Sequence, residues 1–287
     1  MKKYILSYEQ FNGKKIDLGF ISTESDIIGI YINDNLKIFK KFIYKDTIDN
    51  KVYTLNYLDK NSKYFDERFI MPKYFGYYKD KVVGYIMDYV DGINFGTYLD
   101  DVGISHQDKM KHLYEVGVLL EDLKSFRKKS NLSKFYIGDL QERNFILNKK
   151  TGKLNICDLD SCSIGNNKPS YSKFLCCSSG IDDFKDKYIM AEGMYVPNIN
   201  SDIYCYTIMI LNYLYYGYVE NMNLSEYNEF LNYLDSLKSF GKRLYTKEFI
   251  DVISKIYSNE DNINPYYLLD SISEKALRKT RKFQICK

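Results

Sequence analysis

The chain has 287 residues, of which 45% are hydrophobic and 28% charged, a composition that supports a real core and excludes a disordered segment. A net charge of +3 is too small to imply a nucleic-acid or membrane partner. Six cysteines without a C-x-x-C pair, and only two histidines, exclude the common zinc spacings and fit a reduced, cytoplasmic protein.

The N-terminal Met1-Lys2-Lys3-Tyr4-Ile5-Leu6 turns polar at once and lacks the apolar core of a signal peptide. Residues 18–42 then alternate as strands. Within them Leu36, Ile38, Lys40 and Phe42 share one face, because side chains alternate along a strand. A three-residue turn at Asn33-Asp34-Asn35 would set Ile32, Ile30 and Ile28 opposite Leu36, Ile38 and Lys40. Lys40 is then a lone cation on an apolar inner face, which a solvated lysine does not need, with Lys37 and Lys41 on the outer one. A two-residue turn would reverse the faces and favour Lys37.

Residues 50–58 have weak helical character. Residues 72–78 and 81–92 read as two strands joined at Lys79-Asp80. Ser105-His106-Gln107-Asp108 opens a helix in the manner of a capping box. Met110, Leu113, Val116, Leu120, Leu123 and Phe126 form its core-facing stripe. His106 and His112 are expected to be exposed on it. The longest apolar run, residues 206–218, contains Asn212, is too short to span a bilayer and reads as a buried helix. Beyond Gly217, helices are predicted over about residues 225–237, 246–258 and 265–279, with amphipathic spacing that says scaffold. The basic cluster at residues 275–282 reads as a solvated face.

The chemistry gathers in the middle of the chain. Ile137-Gly138-Asp139-Leu140-Gln141-Glu142-Arg143-Asn144 and Ile156-Cys157-Asp158-Leu159-Asp160 each place acidic or amide side chains beside a short apolar run. Asn144 follows Asp139 by five residues, and Asp158 follows Asn144 by fourteen, after a Lys-Lys-Thr-Gly turn. An amide and a carboxylate at strand ends form a hard-oxygen site suited to Mg²⁺ bound to phosphates. The remaining carboxylate can orient or deprotonate a hydroxyl.

Asp139-x4-Asn144 resembles the catalytic loop of the protein kinase-like superfamily, and Asp158-Leu159-Asp160 resembles its D-F-G metal-binding segment. The resemblance covers roughly residues 15–220, with motifs in the family's order. It implies an α+β, two-lobed kinase-like fold, with a small antiparallel lobe over residues 1–90 and a helical lobe over residues 91–287. It further implies ATP and Mg²⁺ as cofactors. Lys40 would hold the α/β-phosphates, Asp139 would act as catalytic base, and Asn144 and Asp158 would hold the metal. Met87 would guard the adenine pocket, and the backbone of Asp88 to Val90 would bind the adenine edge. Asp202, opening the apolar helix, would anchor the backbone of the catalytic loop.

Departures from the family pattern are specific. The loop that should cover the phosphates keeps only Gly19 and Gly29. The helix at residues 50–58 lacks the Glu that normally pairs with the strand lysine; Asn56 falls in the nearest place, with Asp59 and Glu67 as distant substitutes. Gly138 stands where protein kinases carry Arg. Asp160 replaces the glycine of D-F-G and would reach a second metal or cap the following turn. Arg143 is read equally as a γ-phosphate contact or a surface residue. Residues 163–198 suit an activation segment, and Tyr188-Ile189-Met190-Ala191-Glu192 faintly resembles its closing motif. The function implied first is phosphorylation of Ser or Thr hydroxyls of a protein. A small-molecule kinase similar to aminoglycoside or choline kinases, a pseudokinase binding module and an AMP-transferring relative stay open.

Overall fold

The computed structural model describes residues 1–16, 25–129, 135–165, 190–191, 194–195, 199–215, 224–236, 238–239, 242–243, 247 and 250–251. The architecture is α+β. The chain divides into two compact units, one comprising Met1–Phe95 with Arg143–Ser170 and the other Gly96–Glu142 with Tyr171–Lys287.

The first unit is built on a five-stranded mixed sheet. Its strands are β1 (Lys2–Ile5), β2 (Ser25–Ile32), β3 (Asn35–Phe42), β4 (Pro72–Tyr78) and β5 (Lys81–Asp88), in the order β1-β4-β5-β3-β2. β1 runs parallel to β4, and the other neighbours are antiparallel. A four-residue helix α1 (Tyr8–Phe11) starts at a capping box in which Ser7 and Gln10 each bind the other's backbone N–H.

β2 and β3 join through a two-residue turn, not the three-residue turn expected. Asn33 and Asp34 have φ of 48° and 61°, and Ile32 pairs with Asn35. Both central residues in the left-handed region are the mark of the hairpin turn that matches strand twist. The register is therefore one residue from the one expected, and Ile27, not Ile28, lies opposite Lys40. Lys40 nonetheless faces inward. Ile28 and Ile30 pack on the opposite face of the sheet with Leu6, Phe39 and Ile86. The Lys40 face carries Ile38, Phe42, Phe75, Tyr85 and Met87, and is covered by Leu55 of helix α2 (Ile48–Lys60). Lys79-Asp80 forms a second left-handed two-residue turn between β4 and β5, at the position read from the sequence.

A three-stranded sheet completes this unit, with β6 (Gly92–Asn94), β7 (Phe145–Asn148) and β8 (Leu154–Ile156) in that order. Phe145 pairs with Ile156, and the Asn144 carbonyl accepts the Cys157 N–H at 2.8 Å. This pairing brings Asn144 and Asp158 to the same end of one hairpin. The helix α2 packs against the turn of Leu159–Ser161 that follows.

In the second unit, α3 (Phe95–Asp100) precedes α4 (His106–Lys129), which packs against α5 (Ile199–Tyr215); α6 (Leu224–Ser236) follows. The Ser105 hydroxyl accepts the Asp108 N–H at 3.1 Å, the N-terminal cap expected of α4. Met110, Leu113, Val116, Leu120 and Leu123 are buried as the stripe requires. The histidines depart from expectation. His106 shares a 2.6 Å hydrogen bond with the Tyr213 hydroxyl and stacks on that ring, while His112 is buried with Nδ1 3.2 Å from Glu115. Both lie on the side of α4 that meets other elements, where an imidazole finds aromatic cover. Gly117 lets α5 approach, since a Cβ there would meet the Tyr206 hydroxyl at 2.8 Å, and that hydroxyl donates to the Leu113 carbonyl. No helix among the described residues is long and apolar enough to cross a membrane.

Candidate functional site

In the first unit the inward face of β3 delivers one cation into an apolar layer. Lys40 is 3% exposed, and burial alone would strip its charge. Its ammonium instead pairs with Asp158 and, at 2.8 Å, with Asp160. The two carboxylates outweigh burial and hold the Lys40 pKa above that of an ordinary lysine. Lys37, on the other face, pairs with Asp88 at 2.6 Å in a half-exposed position. Of the two candidate lysines, Lys40 is the one brought to the Asp158 motif.

Asp158 follows β8 directly and sits in the left-handed region, with φ 64° and ψ 44°. Asp and Asn tolerate that region better than other side chains. The bend swings the chain into the turn Leu159–Ser161 and buries Asp160 completely. Asp160 neither caps that turn nor stands open for a second metal. One carboxylate oxygen accepts from Lys40 and, at 3.0 Å, from the Tyr85 hydroxyl; the other accepts from Lys51 at 2.7 Å. Burial would raise its pKa, but Lys40 and Lys51 hold it well below the usual carboxylate range. Burial and the neighbouring carboxylates push the Tyr85 phenol well above its ordinary value, so it stays a donor. Cys157, beside Asp158, is pushed up to about 12, mainly by burial and then by that carboxylate.

Lys51 was not among the residues read from the sequence. Helix α2 presents Lys51, Thr54, Leu55 and Leu58 as its buried stripe, so the helix position facing Lys40 is filled by a cation, and the carboxylate comes from Asp160. Asn56, Asp59 and Glu67, the candidates for a helix carboxylate, lie elsewhere. Asn56 is only half-buried, Asp59 pairs with the Met1 amino group at 2.7 Å, and Glu67 pairs with Lys153 at 2.8 Å. The signal that identified Lys51 was available: a lysine three, four and seven residues before Thr54, Leu55 and Leu58 shares their face.

Asn144 is buried at the end of β7 and takes part, through its carbonyl, in bonds from both the N–H and the thiol of Cys157. The Asp158 side chain is 30% exposed, so its carboxylate reaches the rim of the cluster. An amide oxygen and a carboxylate oxygen are hard donors. With water and phosphate oxygens completing an octahedron, they suit Mg²⁺, which seldom takes an all-protein cage. Among the described residues, no three or more His, Cys, Asp and Glu gather as a metal site. Arg143 is exposed, and its carbonyl accepts from the Asn94 amide at 2.7 Å.

Asp88 ends β5, where Lys37 and Lys73 hold its carboxylate; their bonds outweigh burial and lower its pKa. Val90 packs against the Lys40-side core together with Cys157 and Ile146, and Met87 is buried in that core.

In the second unit, Asp139 is 4% exposed, and the Gln141 amide donates to both of its carboxylate oxygens at 3.0 Å. Gly138, just before it, has φ 73°, a conformation glycine adopts without cost. The buried Asp202 accepts the N–H groups of Ile137 and Gly138, both at 2.9 Å. That is the anchoring role expected of it. Burial raises the Asp202 pKa, and Arg127 and the two N–H groups offset this only in part. Of the stretch 18–29 expected to cover the phosphates, residues 25–29 open β2, and residues 18–24, most of the segment 163–198 and the helices expected at 246–258 and 265–279 lie largely or wholly outside the described residues. Within the segment, Met190–Ala191 pairs with Met194–Tyr195.

No protein-family model matches the chain, and no curated protein matches it.

Proposed function

We propose that the protein is an ATP- and Mg²⁺-dependent phosphotransferase with a two-lobed, protein kinase-like fold, acting on Ser or Thr hydroxyls of a protein. The observation that carries this reading is the pairing of the buried Lys40 with Asp158, at the end of the hairpin that also ends in Asn144. A lysine kept charged inside an apolar layer is suited to polyphosphate, and the two oxygen donors are suited to the metal.

In this reading Lys40 leaves Asp158 for the α/β-phosphates, while Asn144 and Asp158 hold Mg²⁺. The metal, when bound, neutralises charge on the phosphate oxygens. Asp139 orients the acceptor hydroxyl and takes its proton as the new P–O bond forms and ADP departs. Asp202 keeps the backbone ahead of Asp139 in place, and Gln141 holds the carboxylate in one orientation until the acceptor arrives. The adenine edge would meet the backbone of Asp88 to Val90. Catalysis is mostly positioning and charge neutralisation.

A small-molecule hydroxyl acceptor is the second reading, favoured by Gly138 ahead of Asp139 and by Asp160 after Leu159. The test is incubation with γ-labelled ATP and Mg²⁺ beside an Asp158→Asn control, followed by intact mass. Phosphate added to the wild type alone supports the protein kinase. ATP turnover without protein labelling moves the acceptor to a small molecule. A wild type that binds no nucleotide refutes the reading.

A further inference from the structure

The cluster around Asp160 contains a second buried cation that the phosphotransferase reading does not use. Lys51 is 1% exposed, its ammonium lies 2.7 Å from Asp160, and it faces the Phe42 ring at 5.4 Å from the centroid. The side chain is thus enclosed between α2, β3 and the turn after Asp158. Among the described residues the ion pairs of the cluster join two ammoniums to two carboxylates, a neutral count.

We propose that Lys51 is a positioning residue for nucleotide binding, which acts by neutralising Asp160 so that Lys40 can be given up to phosphate. The argument is one of charge. Asp160 is shared, with one oxygen on Lys40 and the other on Lys51. Without Lys51, Lys40 faces two carboxylates alone, and the cluster carries a net negative charge beside the place where polyphosphate must enter. Both effects oppose an anion, and in a buried site neither is screened well by salt. With Lys51 present, Asp160 remains paired while Lys40 turns from Asp158 to the phosphates. Asp160 then fixes Lys40 from one side, as a carboxylate on the helix would. The Tyr85 hydroxyl, donating to the same oxygen as Lys40, keeps that carboxylate from rotating. The polarity of the helix-to-strand pair is reversed, with the cation on the helix and the carboxylate on the turn.

This inference rests on the phosphotransferase reading, and titration calorimetry with Mg²⁺·ATP separates the two. A wild type that binds no Mg²⁺·ATP overturns both. Given a binding wild type, Lys51→Arg, which keeps the cation, is expected to bind within about threefold, and Lys51→Met at least about tenfold more weakly. A Lys51→Met protein that is folded by circular dichroism and binds like the wild type overturns the role of Lys51 alone. The decisive variant moves the carboxylate to the helix: Lys51→Glu with Asp160→Asn. Besides Asp158 it keeps one carboxylate for Lys40, and it brings the net charge of the cluster from the −2 of Lys51→Glu alone back to −1. It is expected to bind more tightly than Lys51→Glu alone, which buries a third carboxylate. A purely structural Lys51 predicts no such rescue of affinity, and a folded double variant that binds no better than Lys51→Glu alone refutes the proposal.

Discussion

Replacing Asp160 with Asn tests the buried cluster without any ligand. The substitution keeps size and an acceptor oxygen for Lys40 and Tyr85 but removes the charge shared by two ammoniums. Lys40 still has Asp158, whereas Lys51, which is 1% exposed, loses its ion pair with Asp160. Breaking a buried ion pair by removing one partner costs about 3–5 kcal/mol; about 4 kcal/mol is expected here, a large part of a typical stability of about 5–15 kcal/mol. The assay is urea unfolding followed by far-UV circular dichroism, since the chain has no tryptophan. Adding Lys51→Met to Asp160→Asn removes the buried cation that lost Asp160 and leaves the Lys40–Asp158 pair, so most of the loss should return. The gap between wild type and Asp160→Asn should also narrow in acid. Asp160 has a folded-state pKa depressed from 3.8, so its contribution is present above that value and is lost as pH falls below it. A loss under about 1 kcal/mol, or no recovery in the double variant, would refute the charge argument, because a merely well-packed side chain predicts both.

Three other outcomes follow from the same geometry. Lys40→Met leaves Asp160 with Lys51 and Tyr85, and takes an ion pair only from the 30% exposed Asp158. It should cost less stability than Asp160→Asn, by about 1–2 kcal/mol in urea, yet abolish Mg²⁺·ATP binding by calorimetry. Gly84→Ala puts a Cβ 2.1 Å from the Lys40 carbonyl oxygen, a backbone atom that cannot swing aside. A destabilisation of at least about 1–3 kcal/mol is expected, together with weaker nucleotide binding, although the residue lies on the neighbouring strand. With its pKa near 12, the Cys157 thiol should resist iodoacetamide at pH about 8 in the folded protein and react on unfolding, as read by peptide mass.

The sequence disclosed the elements well where periodicity was strong. The stripe of α4, the Lys79-Asp80 turn and the apolar helix behind Asp202 were all legible, because each is specified by local pattern. The β2–β3 turn was not, since Asn33-Asp34-Asn35 offers three turn-forming residues and either loop length satisfies them. The two-residue turn does not favour Lys37 as expected: Lys40 is inside with Ile38 and Phe42, because that alternation belongs to β3 alone. Lys51 was missed for a different reason. The family pattern points to a carboxylate on the helix, and a lysine on its buried stripe is the inverse of that pattern. Asp160 could not have been assigned from spacing, since only the left-handed Asp158 turns it into the core. The burial of His112 depends on how α4 meets its neighbours, which no local pattern records.

In the phosphotransferase reading, the backbone at Asp158 also bears on how such a chain could lose turnover and keep its bend. With φ 64°, the position admits Gly, Asn or Asp at little cost, and most other residues only with about 1–2 kcal/mol of strain. Asp and Asn codons differ by a single base. Asn would keep the bend and leave Lys40 its bond to Asp160, while removing the carboxylate offered to the metal. In that reading a catalytic version and a silent version of this unit are one base change apart, with the bend retained in both.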